Sequence, residues 1–146
     1  LATVAVVASL LIVPSSGARP TKLTAPLRGS DSTDTDGRGR AVVRIDPRAR
    51  TACFNLSWSN LDDQPFAAHI HEGGAGVDGG IVVHFFNAAA PDQPVPPGIS
   101  GVSGCATNQN RATLREILDG PRGFYVNIHT ESFPGGAIRG QLRRPR

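Results

Sequence analysis

Three of the four histidines lie in two short segments of the chain whose spacing suits metal binding. His69 and His71 are separated by one residue, so on a β-strand both imidazoles would project from the same face. Asn127 and His129 have the same spacing further along the chain. Two such strands side by side would bring three imidazoles to one point. Neutral imidazole is a ligand of copper and zinc, so these three histidines are candidate metal ligands, and His84 is a candidate fourth.

A rigid structural network is the competing interpretation of the same histidines. Buried imidazoles also bond to backbone carbonyls and polar neighbours, and Asn127 and Glu72 are present in these segments as such partners. Imidazole nitrogens that converge to within about 2.0–2.2 Å of one point would favour a metal, whereas nitrogens distributed among carbonyl oxygens would favour the network. Both interpretations stay open, and in either one Asn127 is expected to support the site.

The elements that carry these residues are predicted to be short β-strands. The chain contains 17 Gly and 12 Pro, a composition that favours strands and turns over long helices. Residues 29–38 and 73–80 are expected to be loops, and the proline-rich stretch 88–104 is expected to hold little regular structure. Alternating or β-branched segments predict strands at 22–28, 40–45, 52–58, 66–71, 81–86, 124–129 and 137–142.

One helix is predicted, over about Asn110 to Asp119. Thr107 or Asn108 can cap its N-terminus, and Gly120 with the proline after it would end the helix. The order of elements is mainly β, with one short helix late in the chain. It predicts an antiparallel Greek-key-like β-sandwich or a partly closed barrel.

The N-terminal residues 1–18 predict export from the cytoplasm. They form an uncharged apolar run that ends in small residues, as the core and cleavage region of a secretory signal peptide do. An uncleaved membrane anchor is the alternative, although the apolar run is short for a bilayer span. We expect cleavage after Ala18 and a single domain over residues 19–146, outside the cytoplasm and without a membrane span.

The cysteine content agrees with export. The chain has two cysteines, Cys53 and Cys105. An even pair in an oxidising compartment normally forms a disulfide, so we predict a Cys53–Cys105 bridge, with two buried free thiols as the alternative. The bridge would join a strand to a connecting segment.

Charge and motif content narrow the classes of function. The net charge of +3 comes from scattered arginines and from a basic run at residues 143–146, which predicts an ordinary solvated surface. Nucleic-acid binding is disfavoured because the chain has one Trp and one Tyr for base stacking. Affinity for acidic polymers of a cell wall or matrix stays open. No nucleophile with a paired base is recognisable, so no catalytic residue is assigned.

Several segments together carry a family resemblance. His69-Ile70-His71-Glu72-Gly73, Tyr125-Val126-Asn127-Ile128-His129-Thr130 and Pro134-Gly135-Gly136-Ala137-Ile138-Arg139-Gly140-Gln141-Leu142 resemble the signature blocks of the CHRD (chordin-type) domain, over about residues 23–142. The cysteine pair resembles that of its bacterial secreted members. The resemblance implies a secreted or surface β-domain. We therefore expect an extracellular binding module without catalysis, whose partner is an extracellular protein or a cell-surface polymer.

A second, more distant resemblance concerns the order of the histidines. His69, His71, His84 and His129 follow one another as the copper ligands of copper/zinc superoxide dismutase do, an enzyme that is itself a Greek-key sandwich. This similarity implies an alternative function, a copper- or zinc-binding protein with superoxide-dismutase-like chemistry. Arg139 would then stand where that enzyme has its substrate-guiding arginine. The chain departs from the pattern because it lacks a loop with further histidines and an aspartate for zinc.

Overall fold

The computed structural model describes residues 19–87 and 95–146. The predicted signal segment 1–18 and residues 88–94 of the predicted irregular stretch lie outside the described residues. The elements are β1 Thr21–Arg28, β2 Arg38–Asp46, β3 Thr51–Ser59, β4 Ala67–Glu72, β5 Ile81–Asn87, β6 Gly101–Ala106, α1 Arg111–Asp119, a 3-10 turn Pro121–Gly123, β7 Phe124–His129 and β8 Ile138–Gln141.

The strands form one 8-stranded antiparallel sheet in the order β5-β4-β7-β8-β1-β2-β3-β6. Its two edge strands, β5 and β6, contact each other, so the sheet curls into a nearly closed barrel. Phe54 of β3 and Phe85 of β5 stack across the barrel with ring centroids 4.6 Å apart. The structure confirms a mainly β, antiparallel fold with one short helix, and of the two predicted architectures it has the barrel.

Apolar side chains at alternate positions of the strands fill the interior of the barrel. On β2, Ala41, Val43 and Ile45 point inward and are buried, and they pair with the apolar positions of β3 in the predicted hairpin. Burial of each large apolar side chain contributes about 1.5–3 kcal/mol. The residues between them project from the outer face of the sheet, where polar side chains can meet solvent or loops.

Helix α1 covers part of the barrel through Leu114 and Ile117, which are buried. Its N-cap is Asn110, whose side-chain oxygen accepts hydrogen bonds from the amides of residues 112 and 113. The prediction of Thr107 or Asn108 as the cap was therefore wrong, because a capping side chain must directly precede the first helical residue to reach those amides. No helix of the described residues is long and apolar enough to cross a membrane.

The predicted disulfide is present, but its setting differs from the prediction. Cys53 and Cys105 are bonded and face each other on neighbouring strands, β3 and β6. The expectation that the stretch up to Gly104 is irregular was wrong for β6, which pairs with β3 along its whole length. This strand could not be predicted from the sequence because it contains two glycines and its side chains are mostly exposed. Its pairing with β3 alone defines it.

Candidate metal site

The candidate site lies on the outer face of two hydrogen-bonded strands, β4 and β7. Ile70 and Ile128 point into the core, so their neighbours along each strand point outward. These outward side chains are nevertheless buried, with relative exposures of 2–8% for His69, His71, Tyr125, Asn127 and His129. Something other than the barrel interior must therefore cover them.

Two loops cover the site, one that follows β4 and one between β7 and β8. Glycine is required where each loop lies against a strand. A Cβ atom on Gly79 would lie 1.5 Å from the carbonyl oxygen of Glu72. Gly136 has φ of +129°, and a Cβ atom there would lie 2.2 Å from Oδ1 of Asn127. The glycine content of both loops thus permits the close cover that buries the histidines.

The loops supply carbonyl partners to two imidazoles. Nδ1 of His71 lies 2.9 Å from the carbonyl oxygen of Gly79. Nδ1 of His129 lies 2.9 Å from the carbonyl oxygen of Pro134. The second nitrogen of the His129 ring, Nε2, lies 3.1 Å from Nδ1 of His69. One nitrogen from each histidine can be chosen so that all three lie within 4.8 Å of one another.

The carbonyl contacts fix which nitrogens can bind a metal. A carbonyl oxygen only accepts hydrogen bonds, so Nδ1 of His71 and of His129 each carry the proton, and each Nε2 presents a lone pair. Nε2 of His71 is buried and has no hydrogen-bond partner among the described residues, and the same holds for Nε2 of His69. Two ligand nitrogens of a tetrahedral ion, each bonded at about 2.0–2.1 Å, lie about 3.3 Å apart. The 3.1 Å between His69 and His129 is close to that spacing.

Burial keeps two of the imidazoles neutral. Desolvation, together with smaller effects of the nearby His129, His84 and His71, lowers the pKa of His69 to about 3. Desolvation also lowers the pKa of His129, with a smaller contribution from His71, while the bond to the Pro134 carbonyl opposes the shift. Neutral imidazole is the form that binds metal, so no proton needs to be displaced from these rings near neutral pH.

A match to the CHRD domain extends over residues 23–142 and includes both histidine segments and both cysteines. The chain belongs to the CHRD domain family. No curated protein matches the chain, and no solved structure matches it either. The similarity to copper/zinc superoxide dismutase therefore rests on the order of the histidines along the chain.

His84 lies beside the buried triad of this CHRD domain but is itself exposed. It is the cross-strand partner of His69 on β5, at a point where the pairing of β4 with β5 shifts register. The two rings meet edge to face with centroids 4.8 Å apart. The structure thus brings three of the four predicted ligands together and leaves the fourth on the solvent side of His69.

Arg139 and Asn127 support the loops of the CHRD domain. The two residues are cross-strand partners on β8 and β7. Nδ2 of Asn127 donates to the carbonyl of Gly135 at 2.9 Å. Arg139 forms an ion pair of 2.5 Å with Asp78, the residue before Gly79. Its ion-pair partner is thus a loop residue, and no hydrogen bond joins it to the described histidines.

Tyr125 is a site residue that the sequence prediction missed. Its ring stacks on His71 with centroids 5.0 Å apart, and the guanidinium of Arg139 lies 4.9 Å from the centroid of the tyrosine ring. Its hydroxyl accepts a hydrogen bond from the amide of Gly79 at 3.2 Å. The signal was available, because Tyr125 shares the two-residue spacing of Asn127 and His129 and must lie on their face.

A second group of metal-type side chains is formed by Asp34, Asp36 and Asp62. Asp34 is buried, but both of its oxygens accept hydrogen bonds, from the amides of Gly37 and Asp62. The other two carboxylates are exposed. The histidine triad is therefore the better candidate, because the buried Nε2 of His71 has no partner among the described residues while its Nδ1 is bonded to a carbonyl.

Proposed function

We propose that this CHRD domain is an extracytoplasmic copper- or zinc-binding module whose ligands are His69, His71 and His129. The observation that carries the proposal is the buried Nε2 of His71, which has no partner among the described residues while its Nδ1 is held by a backbone carbonyl. Metal-binding histidines commonly donate their other N–H to a carbonyl in this way. A purely structural network would leave that buried nitrogen without a partner.

The donor set favours copper or zinc over harder ions. Three neutral imidazoles suit these two metals, whereas magnesium and calcium prefer oxygen ligands. A bound ion would supply Lewis acidity, and copper would also supply a one-electron redox couple. The carbonyls of Gly79 and Pro134 fix the tautomers of His71 and His129, and the burial of the three rings limits access of water. The proposal ends at metal binding, because Arg139, which would guide an anionic substrate, already has a carboxylate partner in Asp78.

Location outside the cytoplasm is part of the proposal. The Cys53–Cys105 disulfide supports it, because such bridges persist in oxidising compartments. The apolar segment 1–18 supports it as a predicted signal peptide. A binding module without metal, with an extracellular protein as its partner, is the alternative that the experiment below separates from this proposal.

The test is metal titration of the purified chain after chelation. We expect one Cu²⁺ or Zn²⁺ per chain by calorimetry and elemental analysis. The double variant His69→Ala, His129→Ala should lose that binding. The matched control is His84→Ala, which removes an exposed imidazole next to the triad and should keep the stoichiometry of one. Circular dichroism verifies that each variant is folded.

Two results would contradict the proposal. If the folded wild-type chain binds no metal at micromolar supply, the histidines are structural and the module without metal is the better description. If His84→Ala abolishes binding while the double variant retains it, the metal is held elsewhere than in the triad.

A further inference from the structure

Basic residues that are scattered in the sequence lie together on one face of the barrel. They lie on one face of β1 and β2, and the opposite face of both strands packs in the core. All five side chains are exposed on the outer face, and they are Lys22, Arg28, Arg38, Arg40 and Arg44. The expectation of an ordinary solvated surface did not anticipate this concentration, which depends on the register between strands.

The pairing of β1 with β2 places like charges opposite each other. Lys22 faces Arg44, and Arg28 faces Arg38. Directly opposed like charges destabilise a sheet. Among the described residues the one ion pair is that of Arg139 with Asp78, so none of these five cations forms an ion pair, although Asp46 lies on the same face of β2. An anionic partner would remove the repulsion, which is the first reason to expect one.

The neighbouring strand β3 adds hydroxyl and amide groups to the same face. Ser59 faces Arg38, and Ser57 faces Arg40. Asn55 lies on the same side of β3, and all three polar residues are exposed. Guanidinium groups thus alternate with neutral donors and acceptors across two strands. That combination suits a ligand that carries both acidic groups and hydroxyls.

A cavity of about 880 Å³ continues this surface. Its volume falls within the range of about 300–1,000 Å³ that ligand pockets occupy. Arg143 pairs with Thr24 in a β-bridge, which places the cavity next to the outer face of β1. Asp119 is its one acidic lining residue, and its basic lining residues are Arg40, Arg122, Arg143, Arg144 and Arg146.

We propose that the outer face of β1, β2 and β3 together with this cavity, here termed the basic face, binds an acidic polysaccharide whose sugars carry carboxylates. Guanidinium groups match carboxylates with paired hydrogen bonds, and the serines and Asn55 match sugar hydroxyls. Single-stranded nucleic acid is disfavoured because no aromatic side chain lies on the outer face of these three strands. Insertion into a membrane would need exposed apolar anchors, which the same face lacks.

The basic face is separate from the histidine triad, which lies on β4 and β7. The proposal therefore stands or fails independently of metal binding. Because polysaccharide binding uses no histidine, the double variant His69→Ala, His129→Ala should retain it wherever that variant is folded.

The test is calorimetric titration of the folded chain with polygalacturonate, with neutral dextran as the reference polymer. We expect binding to polygalacturonate that weakens with added salt and no binding to dextran. The variant Arg40→Gln, Arg44→Gln should bind about tenfold more weakly, since charge-assisted hydrogen bonds are lost. The matched control is Arg48→Gln, Arg115→Gln, which removes two charges from outside the basic face and should change affinity by less than about threefold.

Three results would overturn the proposal. The first is equal loss in the two variants, which would mean that net charge alone attracts the polymer. The second is binding to oligo-deoxythymidine or to phosphatidylglycerol vesicles that is tighter than binding to polygalacturonate. The third is the absence of polygalacturonate binding at low salt by the wild-type chain.

Discussion

Nδ1 of His69 lies 3.1 Å from Nε2 of His129, although the two residues are 60 positions apart in the chain. The Pro134 carbonyl holds the proton of His129 on Nδ1, so Nε2 of that ring presents a lone pair to His69. Without metal, the two rings share one hydrogen bond. A bound metal would be held by these two nitrogens, and His69 would then carry its proton on Nε2. Metal binding would thus replace the hydrogen bond between the two rings with two bonds to the ion, and would change the stability of the folded chain.

Copper or zinc should therefore stabilise the fold of the wild-type chain. A ligand that binds only the native state at 100 times its dissociation constant adds about 2.7 kcal/mol to the free energy of unfolding. We expect Tm to rise by several degrees with metal and to fall again with a chelator, as measured by circular dichroism. His84→Ala should keep the metal-dependent rise, whereas His69→Ala should show none. A rise of equal size in both variants would contradict a site in the triad.

The metal-free protein should lose stability as the pH falls from neutral. Burial lowers the pKa of His69 from 6.5 to about 3, so the unfolded chain takes up a proton in this range before the folded chain does. The contribution is fully present above about pH 6.5 and disappears towards pH 3, with a slope of at most about 1.4 kcal/mol per pH unit for one proton. Urea unfolding of wild type and His69→Gln across this range measures it. Parallel curves for the two proteins would show that His69 does not contribute.

The loop between β7 and β8 should tolerate alanine at one glycine and not at its neighbour. Gly136→Ala places a Cβ atom 2.2 Å from Oδ1 of Asn127 and keeps φ at +129°, so we expect a loss of about 1–3 kcal/mol. Gly135→Ala is the matched control, because a Cβ atom there meets nothing within 4 Å. Chemical denaturation compares the two. Equal stability of both variants would mean that the loop can move away from Asn127.

The sequence predicted the parts of the site that depend on spacing within one strand. The two-residue interval places His69 with His71, and Asn127 with His129, on common faces whatever the tertiary fold. It did not predict the Gly79 and Pro134 carbonyls, because backbone acceptors carry no side-chain signal.

The same limit explains the elements that were missed. Strand β6 contains two glycines and mostly exposed side chains, so neither alternation nor β-propensity identifies it. The basic face joins β1 and β2 only through their register, which pairs Lys22 with Arg44 and Arg28 with Arg38. Features that depend on which strands pair, and in which register, can be recognised only once the fold is known.

The hydroxyl of Tyr125 should control metal affinity without touching the metal. It accepts the hydrogen bond of the Gly79 amide, and the carbonyl of the same Gly79 holds Nδ1 of His71. Tyr125→Phe keeps the ring that stacks on His71 but removes the acceptor, so the loop should hold the imidazole less firmly. Loss of one such neutral bond costs about 0.5–1.5 kcal/mol, and supporting residues of metal sites commonly change affinity by about 10–100-fold. We expect copper affinity to fall by about tenfold at unchanged stoichiometry, as measured by competition with a chelator. Unchanged affinity in a folded Tyr125→Phe variant would show that the Tyr125 hydroxyl does not position the Gly79 carbonyl for metal binding.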